Sequence, residues 1–206
     1  MPSDARPPLA LPGMRVGLLG GSFNPAHEGH LHISLTALRR LGLDRLWWMV
    51  TPGNPLKRPG DLASLPERVA QARTLAVHPD IVVTDFEAAL PTPYAIDTVH
   101  FLQKRYPGVH FVWIMGGDNL AQFHLWRDWT GLFGAIPILV LDRPGARNSA
   151  LAAPAARRFA SARLPESAAA GLALAQPPAW IYLTLPLSDL SSTAIRKAGN
   201  AKKRGI

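Results

Sequence analysis

Two hydrophobic rhythms alternate along the chain. Short unbroken apolar runs read as buried strands: "MRVGLLG" (14–20), "RLWWMV" (45–50), "IVVTDF" (81–86), "VHFVWIMGG" (109–117), "IPILVLD" (136–142) and "AWIYLTL" (179–185). Between them the spacing turns helical. Leu31, Leu35, Leu38 and Leu41 recur at three and four residues, and Gly42 reads as the C-cap of that helix. "SLPERVAQARTLAVH" opens on a capping-box pattern, with Glu67 three residues after Ser64. "YAIDTVHFLQKRY" (94–106) and "NLAQFHLWRDW" (119–129) predict two more helices. In "LSSTAIRK" (190–197), Ser191 or Ser192 is placed to cap a last short one.

Strands alternating with helices predict an α/β protein with a doubly wound, mostly parallel sheet and helices on both faces. The opening "MPSDARPPLALPG" (1–13) reads as a flexible Pro-rich lead-in, followed by a single domain over 14–206. Residues 144–178 are rich in Ala and Pro without a strand signal, and are expected to form a surface excursion holding a helix or two.

Composition narrows the function. The 206 residues suffice for one domain with a real core. With no cysteine, disulfides and thiolate zinc sites are excluded. No apolar run approaches the ~18 residues of a membrane span, and the lead-in lacks a signal-peptide core, so a cytoplasmic protein is expected. Lys and Arg number 22 against 14 Asp and Glu, a net charge of +8 that suits phosphate-bearing partners. The oligomeric state is not encoded in these features.

"GGSFNPAHEGH" (20–30) stands where the first strand hands over to a helix. In such sheets, ligands bind beyond the carboxyl ends of the strands. Gly20 and Gly21 let backbone N–H groups approach an anion, and the helix start adds donors of its own. His27 and His30, three apart, share one face of the entry turn and can donate to phosphate oxygens. Neither GxGxxG nor GxxxxGK[ST] occurs. No third ligand lies near the two histidines, so no protein metal site is assigned. Asp118, after "MGG", ends a strand, where a carboxylate can accept from ribose hydroxyls or adjacent backbone, or serve only as a turn residue.

The stretch resembles the nucleotide-binding signature of the HxGH nucleotidyltransferases, and "LSSTAIR" (190–196) resembles their second signature, SSTxIR. "TPGNPLK", "PYAIDTV", "GGDNLAQFHLW" and "DRPG" are similar to pieces of one branch, the bacterial nicotinate-nucleotide adenylyltransferases. The resemblance implies a Rossmann-like fold and the joining of ATP and nicotinate mononucleotide to deamido-NAD and pyrophosphate, with Mg²⁺ entering with ATP. It implies His27, His30, Lys57 and Arg196 as the catalytic, charge-neutralising set. It implies an ATP site of Gly20, Gly21, Ser22, Phe23, His27, His30, Gly116, Asp118, Ser191, Ser192, Thr193 and Arg196. The mononucleotide falls to Asn24, Lys57, Tyr94, Ala95, Thr98, Trp126 and Arg143, with Trp126 stacked on the pyridine ring. The chain departs from the family at Asn24, where Asp is frequent, at Leu56, where His is usual, and at Ala95, where a Thr hydroxyl is lost.

Blander readings stand beside these. His32, His78, His100 and His110 have no such company and read as ordinary histidines. Trp47, Trp48 and Trp113 lie in strands and read as core. Nicotinamide mononucleotide or phosphopantetheine would be other acceptors for the same chemistry. "HEGH" is also similar to the HIGH signature of class I aminoacyl-tRNA synthetases, but no KMSKS-like loop follows. The basic tail "IRKAGNAKKRGI" would suit a nucleic-acid-binding protein, yet it lacks the interleaved aromatics of single-strand binders, and no nucleic-acid partner is expected.

Overall fold

Six parallel strands form one sheet in the order β3-β2-β1-β4-β5-β6. They are β1 (Arg15–Gly21), β2 (Arg45–Val50), β3 (Ile81–Thr84), β4 (His110–Gly116), β5 (Ile138–Leu141) and β6 (Trp180–Leu183). The computed structural model describes residues 6–53, 62–92, 94–143 and 145–185. The expected last helix at 190–197 lies outside them. A parallel sheet must bury both faces, which is why its strands are apolar runs rather than alternating patterns. Helices α1 (Glu28–Leu41) and α2 (Leu65–Leu75) cover one face, packing Ile33, Ala37, Leu41, Val69 and Ala72 against Trp48, Val112 and Leu139. On the other face, α3 (Ala95–Arg105), α4 (Gly117–Gln122) and α5 (Trp129–Ala135) bring Ile96, Val99, Leu120 and Leu132 to Trp47, Trp113 and Val140.

The local signals work as their chemistry requires. Gly42 closes α1 in the left-handed region at φ 61°, and its N–H donates to the Leu38 carbonyl. The Ser64–Glu67 capping box opens α2.

Four expectations change. The third strand stops at Thr84, whose hydroxyl accepts from the Phe86 N–H and helps turn the chain into a 3-10 segment, Phe86–Ala89. The helix expected over 119–129 breaks in two. After α4 and a short 3-10 turn, Trp126 is extended, and Asp128 enters the left-handed region to cap α5 by accepting from Gly131 N–H. The 144–178 segment holds the helix or two expected and runs largely over the surface, but it also contributes to the core. It forms α6 (Arg147–Ala152), α7 (Pro154–Arg158) and 3-10 turns, and it buries Ala150 and Ala155 on one face of the sheet and Ala169, Leu172 and Ala173 on the other. The lead-in is tied down where it is described. The Tyr106 hydroxyl donates to the Pro7 and Pro8 carbonyls, Gly13 N–H donates to Gly108, and Ala10 is buried.

Strand order reverses between β1 and β4. The crevice beyond their carboxyl ends is where such sheets hold ligands.

Candidate active site

The chain leaves β1 at Gly21 and turns through Ser22 and Phe23 into α1. Phe23 sits at φ 45°, a left-handed conformation that a bulky residue adopts only when its surroundings hold it there. Its ring is buried, 5.1 Å from the Trp48 ring and 4.7 Å from that of His30, so only its backbone can face a ligand.

His27 occupies the N-cap of α1, and the two imidazoles lie 3.9 Å apart. The His27 N–H donates to His30 Nδ1 at 3.2 Å. In a neutral His30 ring that leaves the proton on Nε2, which is then a donor. A short chain fixes the helix beneath it: Trp48 Nε1 donates to Ser34 Oγ at 2.7 Å, which donates to the His30 carbonyl at 2.7 Å.

Burial, helped by the positive charge of Arg143, lowers the His27 pKa to about 4, so the ring is a neutral dipole near pH 7 and well below it. Its Nδ1 is buried with no hydrogen-bond partner among the described residues.

Across the crevice, β4 ends at Gly116. A Cβ there would fall on Asp118 Oδ1 and lie 3.1 Å from Arg143 Nε, so only glycine allows these two side chains to close over the strand end. Arg143 Nε lies 3.7 Å from Asp118 Oδ1. The residues assigned to ribose and to the mononucleotide thus form one loose ion pair. Beyond β5 and β6, a cleft of about 360 Å³ is lined by Asp142, Arg143, Gly145, Arg147, Asn148, Thr184 and Leu185. Asp142 forms its floor, accepting from the Tyr182 hydroxyl at 2.6 Å and from Arg143 N–H at 2.8 Å.

The remaining expected residues fall into three groups. Asn24 is buried, with its side-chain carbonyl accepting from Ala63 N–H at 3.2 Å. Tyr94 and Ala95 open α3, while Thr98 is turned inward, its hydroxyl donating to Glu87 at 2.8 Å. Trp126 is half-buried, with its ring 4.9 Å from Phe123 and 6.2 Å from Trp113. Lys57, Ser191, Ser192, Thr193 and Arg196 lie outside the described residues.

Sequence reasoning missed Arg127, whose guanidinium lies 4.6 Å over the Tyr94 ring and links the Trp126 segment to the start of α3. It also missed Glu87. Burial raises that carboxyl to about 7, against the opposing pull of the Thr98 hydrogen bond. A folded pKa above the unfolded one means that the fold holds an extra proton between pH ~4.5 and ~7, so the Glu87 contribution to stability declines as pH rises through that window. His27 runs the other way, losing stability as pH falls from about 6.5 to about 4. Denaturant titrations of Glu87→Gln against the parent are expected to diverge with rising pH. The variant gains on the order of 3 kcal/mol at pH 8, relative to the difference at pH 4. A pH-independent difference would contradict this.

The sequence matches the cytidylyltransferase-like family over residues 18–198. It is 58% identical over 186 residues to a protein of Cereibacter sphaeroides named "Probable nicotinate-nucleotide adenylyltransferase", covering 90% of this chain and 98% of that one. A protein of the same name from Rhizobium meliloti is 52% identical over 185 residues, again covering 90% and 98%. Among solved structures, the nicotinic acid mononucleotide adenylyltransferase of Plasmodium falciparum complexed with NaAD has a TM-score of 0.68, covering 92% of this chain and 89% of that chain. At 15% identity that likeness concerns the fold.

Proposed function

Because the chain belongs to the cytidylyltransferase-like family, we propose that it transfers the adenylyl group of ATP to nicotinate mononucleotide, giving deamido-NAD and pyrophosphate in NAD biosynthesis. The observation that carries this reading is the crevice between β1 and β4, where the turn of Gly20–Phe23, the paired imidazoles of His27 and His30 and the cation of Arg143 meet.

The chemistry asks little covalent work of the protein. A phosphate oxygen of the mononucleotide attacks the α-phosphorus of ATP. A new P–O bond forms while the bond to the β-phosphate oxygen breaks, and pyrophosphate leaves. The acceptor is already an anion near neutral pH, so no side chain must be activated as a nucleophile. Catalysis is then positioning and charge stabilisation. His30 donates from Nε2 to a phosphoryl oxygen. His27, neutral before binding, is pulled towards its protonated form by the arriving phosphate charge. Arg143 adds a fixed cation, and the β1 turn offers backbone N–H groups. Lys57, Arg196 and the Ser191–Thr193 hydroxyls extend the phosphate contacts in this reading. The described residues gather no set of three His, Asp or Glu side chains fit to cage a metal ion. Magnesium, entering with ATP, would be held by the phosphate oxygens and offset charge on the leaving group. No described helix is long and apolar enough to cross a membrane. A cytoplasmic location goes with nucleotide substrates of this kind.

Pyrophosphate release from ATP and Mg²⁺, measured with nicotinate mononucleotide, nicotinamide mononucleotide and phosphopantetheine, tests the assignment. The first is expected to turn over fastest. Release with none of them, or with phosphopantetheine alone, would overturn it. Trp126 supplies a narrower check. Stacking on the pyridine ring is worth about 0.5–1.5 kcal/mol, so Trp126→Ala is expected to raise the acceptor KM several-fold and leave the ATP KM nearly unchanged. Parallel rises in both constants would assign Trp126 to the core.

A further inference from the structure

Arg68 is 1% exposed, the most deeply buried charged side chain among the described residues, and the adenylyl-transfer chemistry gives it no task. It sits in the first turn of α2, at the positive end of the helix dipole, where a cation is disfavoured. Among the described residues it makes no ion pair. Its guanidinium instead donates to four backbone carbonyls: Nε to Ala63 at 2.9 Å, one terminal nitrogen to Ser22 at 2.7 Å and Thr51 at 2.8 Å, and the other to Pro52 at 3.3 Å. Three segments meet on one planar fork: the turn after β1, the chain leaving β2 and the residue before the α2 cap. A desolvated cation held only by neutral acceptors is costly, and the arrangement therefore points to a demand for backbone placement.

That demand is visible one residue away. Phe23, at φ 45°, is flanked on both sides by this cluster. Arg68 binds the carbonyl of Ser22, and Ala63, whose carbonyl Arg68 also binds, donates its N–H to the side chain of Asn24. A strained turn persists only when its surroundings over-determine it. We propose that Arg68 is a positioning residue: through Ser22 and Ala63 it holds the turn at Phe23 in the conformation that sets His27 and His30 against the incoming phosphates. This rests on the adenylyltransferase reading for its catalytic consequence, but not for its structural one.

Arg68→Met removes the fork, and Arg68→Lys keeps the charge without the planar geometry. Thermal melts and circular dichroism establish that each variant is folded. Small misplacements of reacting groups can cost roughly 10²-fold, so kcat is expected to fall by about that factor in Arg68→Met and by roughly tenfold in Arg68→Lys, with little change in acceptor KM. In a His30→Ala background the Arg68→Met loss is expected to shrink well below its value in the parent, because one of the two imidazoles being positioned is gone. Without substrate, ring-proton NMR should show the His27 titration moving up towards its ordinary value in the variants. If Arg68→Met does not fold, Arg68→Lys carries the same readouts. Unchanged kcat, an equal loss with and without His30, or unmoved His27 titration would overturn the proposal. A parent enzyme inactive with every acceptor would instead overturn the functional reading, and the imidazole titrations would still decide the structural one.

Discussion

Replacing His30 with alanine is expected to lower turnover roughly 10²–10³-fold while the protein stays folded, the cost typical of removing one preorganised donor to a developing oxyanion. The expectation follows from how fully the ring is fixed. Its Nδ1 is occupied by the His27 N–H, its plane packs against Phe23, and its carbonyl is held by Ser34. Little reorganisation remains to be done when charge moves onto the pyrophosphate. His32, exposed and two residues on, is the control, and its alanine variant should match the parent within about twofold. Steady-state rates at saturating ATP and Mg²⁺ decide the matter. A His30→Ala enzyme within a few-fold of the parent would remove His30 from the mechanism.

The second large effect concerns the acceptor. Nicotinate and nicotinamide mononucleotides differ by a carboxylate against a carboxamide, so the site must read one negative charge. The start of α3 is suited to do so. The first helical bonds run from Asp97 and Thr98 N–H back to Tyr94, which leaves the Ala95 and Ile96 N–H groups directed out of the helix end. The guanidinium of Arg127, over the Tyr94 ring, adds a cation at that point. Asp97 would favour an amide; its Oδ2 is turned to the Thr92 hydroxyl, from which it accepts at 2.6 Å, and Asp97→Ala separates its influence from that of the donors. Donors alone favour the acid, since an amide nitrogen would meet them with its own hydrogens. Charge-assisted bonds contribute about 1.5–3 kcal/mol each; two of them, partly offset by desolvation, predict discrimination of roughly a hundredfold in kcat/KM. Equal kcat/KM values for the two mononucleotides would sink this, and Arg127→Ala should narrow the gap if its charge takes part.

Much of the sheet is legible in the amino-acid order itself. "RLWWMV" is β2 residue for residue, and Gly42, Ser64 and Glu67 cap the helices they announce, because those signals are local. What the sequence hides depends on tertiary contact. The alanines of 144–178 carry too weak a hydrophobic signal to show that they line both cores. The split at Trp126 depends on Asp128 taking a left-handed conformation, which no pattern of polarity marks. Asp118 and Arg143 meet because β4 and β5 run in register, with Gly116 opposite Leu141. Arg68 leaves one clue, a cation where the α2 dipole disfavours it, but its four acceptors are backbone atoms that a sequence does not distinguish.

The strand order also sets a timetable for the growing chain on the ribosome. Synthesis first completes the half of the sheet made of β1, β2 and β3, which already carries the glycine turn and both imidazoles. That half has an open edge at β1, and the opposite wall of its crevice has yet to be made. Only when β4 docks there do Gly116 and Asp118 arrive, and Arg143 follows with β5. The β1 edge is therefore apolar and unpaired while the chain is shortest, the condition under which nascent chains stick to one another. Nucleotide cannot protect it at that stage, since the residues of the opposite wall are made only afterwards.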